Sequence, residues 1–331
     1  MIAWLVLLQA SLTIAVAGPA TSPEYLPLHV AQAEGLFTAQ NLAVTLRPYR
    51  SEPSAAEALA SGHAPLAATS LDSALRLGAV DGRPPRLVWG FTAAPPVALL
   101  VNPARKDEIR SPADLVGQTV AVPAPGTPED QALAFLLARA GVAPQQVTLR
   151  SLGERGAARA LEGGQVAAAV LSEPYVSRIV EDGAAVVAID LRTARDAATW
   201  LGGPSVGAAL FARAGAEPDA ATLRGLSTAL QAALTRILST APAVLADGLP
   251  ATTVGSPADF ALRLAKARDL FLPGGRVSIE ALEHGVELVR GRAPLPAKVK
   301  LPAVDRLLLQ GPRAGDPRKV LWRRPSEGRR G

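Results

Sequence analysis

Three histidines (His29, His63 and His284) and no cysteine are the chain's whole supply of its usual nucleophile-activating and soft metal-binding side chains. The histidines show no paired spacing, and the missing thiols exclude disulfides, thiolate nucleophiles, iron–sulfur clusters and cysteine-bound zinc. Gly203-Pro-Ser205-Val-Gly207 has the spacing of a hydrolase nucleophile elbow, and Asp247 or Asp259 followed by His284 keeps the usual triad order. An elbow needs a strand, a sharp turn and a helix. Here a helical stretch precedes the motif and the strand-like run Ala208–Arg213 follows it, which is the wrong context. No glycine-rich loop ending in Gly-Lys-Ser/Thr occurs, and no dinucleotide fingerprint follows a strand.

Hydroxyl side chains at helix starts are the more informative pattern. Ser54, Ser70, Ser111 and Thr127 each stand just before a helical segment. Ser54 is followed by Glu57 in capping-box spacing, and Thr127 by Pro128, Glu129 and Asp130. A helix N-terminus offers unpaired amides and partial positive charge, so small anions bind there without lysine or arginine. Each of these residues is also readable as an ordinary cap worth about 1 kcal/mol. Tyr25 precedes the first helix and either presses its ring on a ligand or sits half-buried. Thr92 either reaches a ligand or ends a strand. Glu173 accepts a hydrogen bond from a ligand or favours the start of its own helix. Arg192 grips an anion bidentately or pairs with Asp190 or Asp196. Gly203, beside Gly202, permits close approach of backbone or a simple turn.

The elements that must position these residues alternate with regularity. Leu42, Val44 and Leu46 alternate with Ala43, Thr45 and Arg47, a strand's period. Pro65–Thr69, Arg86–Phe91, Val97–Asn102, Thr119–Val122, Val147–Ser151, Ala167–Leu171 and Ala185–Ile189 are further strand-length runs. Helices are expected at 27–34, after Ser54 up to Gly62, after Ser70, from Thr127 to Ala140, and at about 154–162 and 174–182. Continuous apolar strands belong to parallel sheets covered on both faces, so the class is α/β. Beyond Asp190 one strand, Ala208–Arg213, leads into helices at Pro218–Thr240, Ser256–Leu272 and Ser278–Arg290.

Leu26-Pro-Leu-His-Val-Ala-Gln-Ala-Glu-Gly-Leu-Phe37, followed by Leu42-Ala-Val44, resembles the opening of substrate-binding proteins of ABC importers. The closest branch is the nitrate/sulfonate/taurine and thiamine-pyrimidine-precursor family. Glu57-Ala-Leu-Ala-Ser-Gly62, Ser111-Pro-Ala-Asp-Leu-Val-Gly117, Val120-Ala-Val-Pro-Ala-Pro-Gly126-Thr127 and Ala160-Leu-Glu-Gly-Gly-Gln-Val-Ala-Ala-Ala-Val170 extend the likeness. Glu173-Pro174 and Asp190-Leu-Arg-Thr193 complete it, in the family's order.

The resemblance implies a two-lobed periplasmic-binding fold of type II, with mixed, mainly parallel sheets and helices on both faces. Residues 11–93 and 193–300 would form one lobe and 94–192 the other. Chain crossings near Thr92–Val97 and Asp190–Thr193 would act as a hinge. It implies a ligand held between the lobes, for which Tyr25, Ser54, Ser70, Thr92, Gly126, Thr127, Glu173, Arg192 and Gly203 are the candidate contacts. That ligand would be a sulfonate, nitrate, a taurine-like or a pyrimidine-like solute, handed unchanged to an ABC permease in the inner membrane. No cofactor and no metal are expected, and the receptor is expected to be a periplasmic monomer. Two other readings stand beside it: an enzyme of dehydratase type acting on a small carboxylate in the same cleft, and a sensory binding protein without a transporter.

Charge supports a body with no nucleic-acid partner. The net charge is +5, and the last 21 residues carry seven basic groups against two acidic ones, so residues 1–310 sum to zero. A neutral body exerts no long-range attraction on nucleic acid. Residues 301–331 read as a basic, solvated tail. Residues 1–10 read as a short or truncated export signal whose apolar run lacks the usual positive residues before it.

Overall fold

The computed structural model describes residues 11–80, 82–292, 295 and 300–309. The expected signal segment and most of the basic tail lie outside them. Ten strands form two five-stranded sheets among the described residues. The first sheet runs in the order β2 (Ala43–Tyr49), β1 (Ser11–Ala17), β3 (Leu66–Ser70), β10 (Ala208–Ala212) and β4 (Arg86–Gly90). The second runs β7 (Thr148–Ser151), β6 (Thr119–Val122), β8 (Ala168–Ser172), β5 (Val97–Val101) and β9 (Val186–Asp190).

The two sheets share one plan. Three strands at one end are parallel, as β1 is to β2 and β3, and β6 is to β7 and β8. The fourth strand, β10 or β5, runs antiparallel to both neighbours. In the first sheet that fourth strand arrives only after the chain has built the whole of the second. The central strands β3, β5 and β10 are buried along their whole length, the burial that continuous apolar runs demand. Edge strand β7 is exposed throughout, and edge strand β2 tolerates Pro48, whose missing amide would break a central ladder.

Among the described residues, twelve helices cover the faces. In the first half of the chain they are α1 (Leu26–Ala33), α2 (Glu52–Ala60), α3 (Leu71–Val80), α4 (Pro128–Arg139), α5 (Gly153–Glu162) and α6 (Tyr175–Glu181). Then follow α7 (Ala194–Leu201), α8 (Ala220–Ser239), α9 (Pro242–Asp247), α10 (Ala251–Val254), α11 (Pro257–Ala267) and α12 (Ile279–Arg292). Leu226, Ala229, Leu230, Ala233, Leu234 and Ile237 of α8 recur at helical spacing and are buried. The expected helix from Ser256 to Leu272 stops sooner. After Ala267 the chain tightens into a 3-10 turn, and Phe271 leaves it to bridge Thr92.

Each sheet has its own apolar core. Ile14, Leu66, Leu75, Phe91, Phe211 and Leu230 belong to the first, and Leu99, Val120, Leu133 and Val170 to the second. Ala197 and Leu201 of α7 pack into the second core, although the expected partition assigned residues from 193 onward to the first lobe.

The crossings between sheets lie side by side. Gly207 N–H donates to Thr92 O (2.8 Å), and Ser205 Oγ donates to Ala93 O (2.7 Å). Ala93 N–H donates to Leu270 O (2.8 Å), which ties a third segment to the pair. The elbow-like motif is therefore a coil between α7 and β10, and its serine fastens one crossing to the other. His284 Nε2 lies 3.0 Å from Leu201 O, with its ring against Gly203.

Candidate functional site

The site is built at helix starts. α2 is capped three residues before the expected cap. Ser51 is extended, its hydroxyl accepts the Ser54 amide, and Ser54 Oγ accepts the Ser51 amide at 3.0 Å in return. Pro53 in the first turn favours this earlier start. The correction matters, because it turns Ser54 into the inner half of a capping box and puts Glu52 at the first helical position.

Glu52 is buried at 4% exposure. Tyr25 Oη lies 2.8 Å from both its carboxyl oxygens, Thr69 Oγ1 donates at 2.9 Å, and the Ser70 amide donates at 2.6 Å. Burial pushes Glu52 up to about 7, against the pull of these donors. Neighbouring Glu24, 5% exposed, accepts its own backbone amide, and burial raises it to about 8. Glu129 opens α4 and is equally buried. Burial raises it too, although hydrogen bonding with its own amide, Ser172 and Thr127 pulls the other way. None of these three glutamates forms an ion pair among the described residues.

A cleft of about 500 Å³, counting its mouth, lies beside this cluster. Glu24, Glu52, Ser70 and Asp72 line it from the first half, Pro128, Gln131 and Phe135 of α4 from the second, and Gly285, Leu288 and Val289 of α12 from a third direction. The halves touch across it. Gln131 Nε2 donates to Ser73 Oγ (3.1 Å), and Gly126, at φ +75°, passes so near Pro53 that an added Cβ would lie 3.0 Å from its ring. Arg178 of α6 pairs with Asp259 of α11 farther out.

Among the described residues no arginine or lysine lines the cleft, and the arginines that pair with its wall or lie elsewhere in the halves are engaged. Asp72 pairs with Arg76 (2.9 Å) and with Arg292, which also lies 3.8 Å from Asp130. Arg192 is buried between Glu173 and Asp190. Burial opposes the charge on Asp190, but the hydrogen bonds and charge of Arg192 outweigh it and hold the carboxyl below its usual range. Arg263 donates to Val254 O at 2.6 Å.

The residues singled out from sequence separate in the fold. Tyr25, Ser70, Gly126 and Thr127 come together around Glu52 and α4. Tyr25 is 1% exposed, holds Glu52 by its hydroxyl and sets its ring edge-on to Phe91 at 5.9 Å, so it orients the carboxylate and has no free face. Thr92 is buried at the crossing, where its hydroxyl accepts the Ala208 amide (3.3 Å). Glu173 and Arg192 satisfy each other, with Glu173 also accepting from the Ser177 amide (3.0 Å) and hydroxyl. Ser54 is engaged inside its capping box, and Gly203 sits against His284.

Chain and fold together define a class: a two-lobed, mixed-sheet α/β protein with a cleft between its halves. Residues 22–194, more than half of the chain, match the family described as NMT1/THI5 like, and the chain belongs to that family. No curated protein matches it by sequence. Among solved structures it is similar to a protein of Bordetella bronchiseptica RB50, with 26% identity over 91% of this chain and 95% of that one, at a TM-score of 0.74. It is also similar to the periplasmic aliphatic sulphonate binding protein of Escherichia coli (20% identity, 90% and 97% covered, TM-score 0.69). A third is the periplasmic nitrate-binding protein of Synechocystis PCC 6803 (13% identity, 79% and 69% covered, TM-score 0.54).

Proposed function

We propose that the protein is the solute-binding receptor of an ABC import system, working in the periplasm. It closes its two halves over one small solute and presents it unchanged to a membrane permease. The observation that carries this reading is the cleft bounded by elements of both sheets and bridged by Gln131 and Ser73. Two adjacent crossings let the halves rotate as bodies, and ligand contacts made only in the closed arrangement would bias that motion. Membership of a family with solute-binding structural relatives supports it. Among the described residues no helix is long and apolar enough to cross a membrane.

The test is a thermal-shift panel of small solutes, with the bound compound then recovered for mass spectrometry. A binder at about 100 times its Kd stabilises the fold by roughly 2.7 kcal/mol. Recovery of the same compound is expected. A transformed compound would favour a dehydratase-like enzyme, and failure of every small solute would remove the receptor role.

Thr127 offers a second check. Its hydroxyl donates to Ala124 O (3.0 Å) and accepts the Asp130 amide at the start of α4. Thr127→Leu should cost about 1 kcal/mol of stability, the value of a cap, yet weaken binding of the panel's best solute by more than about tenfold, because α4 lines the cleft. Equal losses in stability and affinity, measured by denaturation and calorimetry, would leave Thr127 a plain cap.

A further inference from the structure

Each half keeps its own core, and one helix serves both. Ala281, Leu282, Val286 and Val289 of α12 are buried in the first core, whereas Leu288 packs against the second. Residues four apart share a helix face, and the face that carries Leu288 also carries His284 and Arg292. All three reach the second half. His284 Nε2 lies 3.0 Å from Leu201 O at the end of α7, and Arg292 lies 3.8 Å from Asp130 in the first turn of α4. α4 answers with the same spacing in Gln131, Phe135 and Arg139. Gln131 donates to Ser73 of α3 (3.1 Å), and Phe135 packs against both cores. At the far end of α4, a Cβ added to Gly202 would collide with the Arg139 guanidinium, beside the Leu201 that His284 touches. The start of α4 thus meets the end of α12, and its end lies near His284. The two helices run antiparallel across the boundary between the halves.

Another boundary between the halves is built differently. The turn Pro23–Tyr25 stands between it and the cleft: Glu24 lines the cleft, while Pro23 and Leu26 line a smaller recess with Phe260, Arg263 and Leu264 of α11. There α11 faces the second half through charges. Asp259 pairs with Arg178 of α6, and Arg263 faces Glu154 of α5. The Arg178 side chain is 53% exposed. An exposed ion pair contributes little and is screened by salt, whereas burial of large apolar side chains such as Phe135 and Leu288 contributes several times more. The α4–α12 seam is the side that holds, and the α6–α11 boundary is the side that parts.

We propose that α12 is a third element of the hinge: the halves turn about the α4–α12 seam, and the cleft opens at the α6–α11 boundary, where Arg178 and Asp259 form its latch. The inference rests on the receptor reading and gives its closing motion an axis and an entrance. Two adjacent crossings attach the halves at one place but leave several directions of rotation open. A helix pair packed along its length restricts them to one. Rotation about the seam keeps His284, Leu288 and Arg292 on their partners while it carries α6 away from α11.

The chain has no cysteine, so introduced pairs react alone. Arg178→Cys with Asp259→Cys would be joined across the mouth, and Asp130→Cys with Arg292→Cys across the seam, each by a short bismaleimide. Asp259→Arg sets like charge against Arg178 and supplies the open form, and Arg178→Glu repeats the test from the other side. Small-angle X-ray scattering of the solute-free proteins gives the readout. The radius of gyration of Asp259→Arg should exceed that of the mouth-linked protein by about 1 Å, on a compact value of about 20 Å for a chain of this length. Linking the seam in the Asp259→Arg background should leave that expansion in place. Hydrogen exchange adds a reading that needs no link: Asp259→Arg should quicken exchange in α6 and α11 by more than about threefold and leave α12 unchanged. Three results would each overturn the proposal: neither charge reversal expands the protein beyond the mouth-linked form, the seam link restores the compact radius, or α12 exchanges as fast as α11. Recovery of an unaltered solute from the thermal-shift panel would leave the receptor role standing in each case, so the two readings fail separately.

Discussion

Gly207→Val is expected to destabilise the protein by about 3 kcal/mol or more and to abolish solute binding at any concentration that leaves the wild type saturated. An ideal Cβ at this glycine would lie 2.7 Å from Ala94 C and 2.9 Å from Ala94 Cα. Both are main-chain atoms of the neighbouring crossing and have no rotamer with which to yield. The Gly207 amide is also fastened to Thr92 O, and Leu71 at the start of α3 donates to Gly207 O. Relief of the clash must therefore displace the crossings, the start of β10 and a wall of the cleft together. A melting temperature lower by about 6–12 °C is the observable, at about 2–4 °C per kcal/mol for a chain of this size. Gly291→Ala in α12 is the control. Nothing lies within 4 Å of its added carbon, so helix propensity alone should stabilise it by up to about 1 kcal/mol. If the two variants melt alike, the crossings are not packed as described.

What could be read from sequence was what local patterns encode. Thr127-Pro-Glu-Asp130 marks its cap by residues side by side, and α4 starts where that signal stands. The apolar runs of β3, β5 and β10 are central strands, since only burial on both faces tolerates them. At α2 two signals competed. Ser54 and Glu57 have capping-box spacing, but Ser51 with Pro53 wins, because proline fits the first turn and Ser54 can reciprocate as well as glutamate. That shift concealed Glu52. Glu24, Glu52 and Glu129 come from three segments far apart in the chain, and nothing in the neighbourhood of any one announces that the other two lie close to it. Arg192 was legible as one half of an ion pair through Asp190 nearby, whereas its buried bond to Glu173, 19 residues away, needed β8 and β9 to flank β5.

The same three glutamates fix how the empty protein should respond to pH, whatever its solute. In the unfolded chain a glutamate titrates near 4.5, while the folded protein holds Glu24 to about 8 and Glu52 to about 7. Between those values the folded state keeps protons that the unfolded state has released, so stability declines as pH rises through the interval. Each tenfold gain in proton affinity on folding corresponds to about 1.4 kcal/mol, which makes about 5 kcal/mol an upper bound for Glu24 alone. His29 works in the opposite sense, since burial lowers it, and its contribution fades above about pH 6.5, where the unfolded-state imidazole loses its proton. The decline should therefore be cleanest above that pH. Denaturant melts of the solute-free protein are expected to show a loss of about 3 kcal/mol from about pH 6.5 to 8.5. Glu24→Gln should match the wild type near about pH 5 and exceed its stability at about pH 8.5, because an amide has no proton to surrender. A wild type whose stability is flat over this range, or a variant that declines in parallel with it, would show that Glu24 ionises freely in the fold.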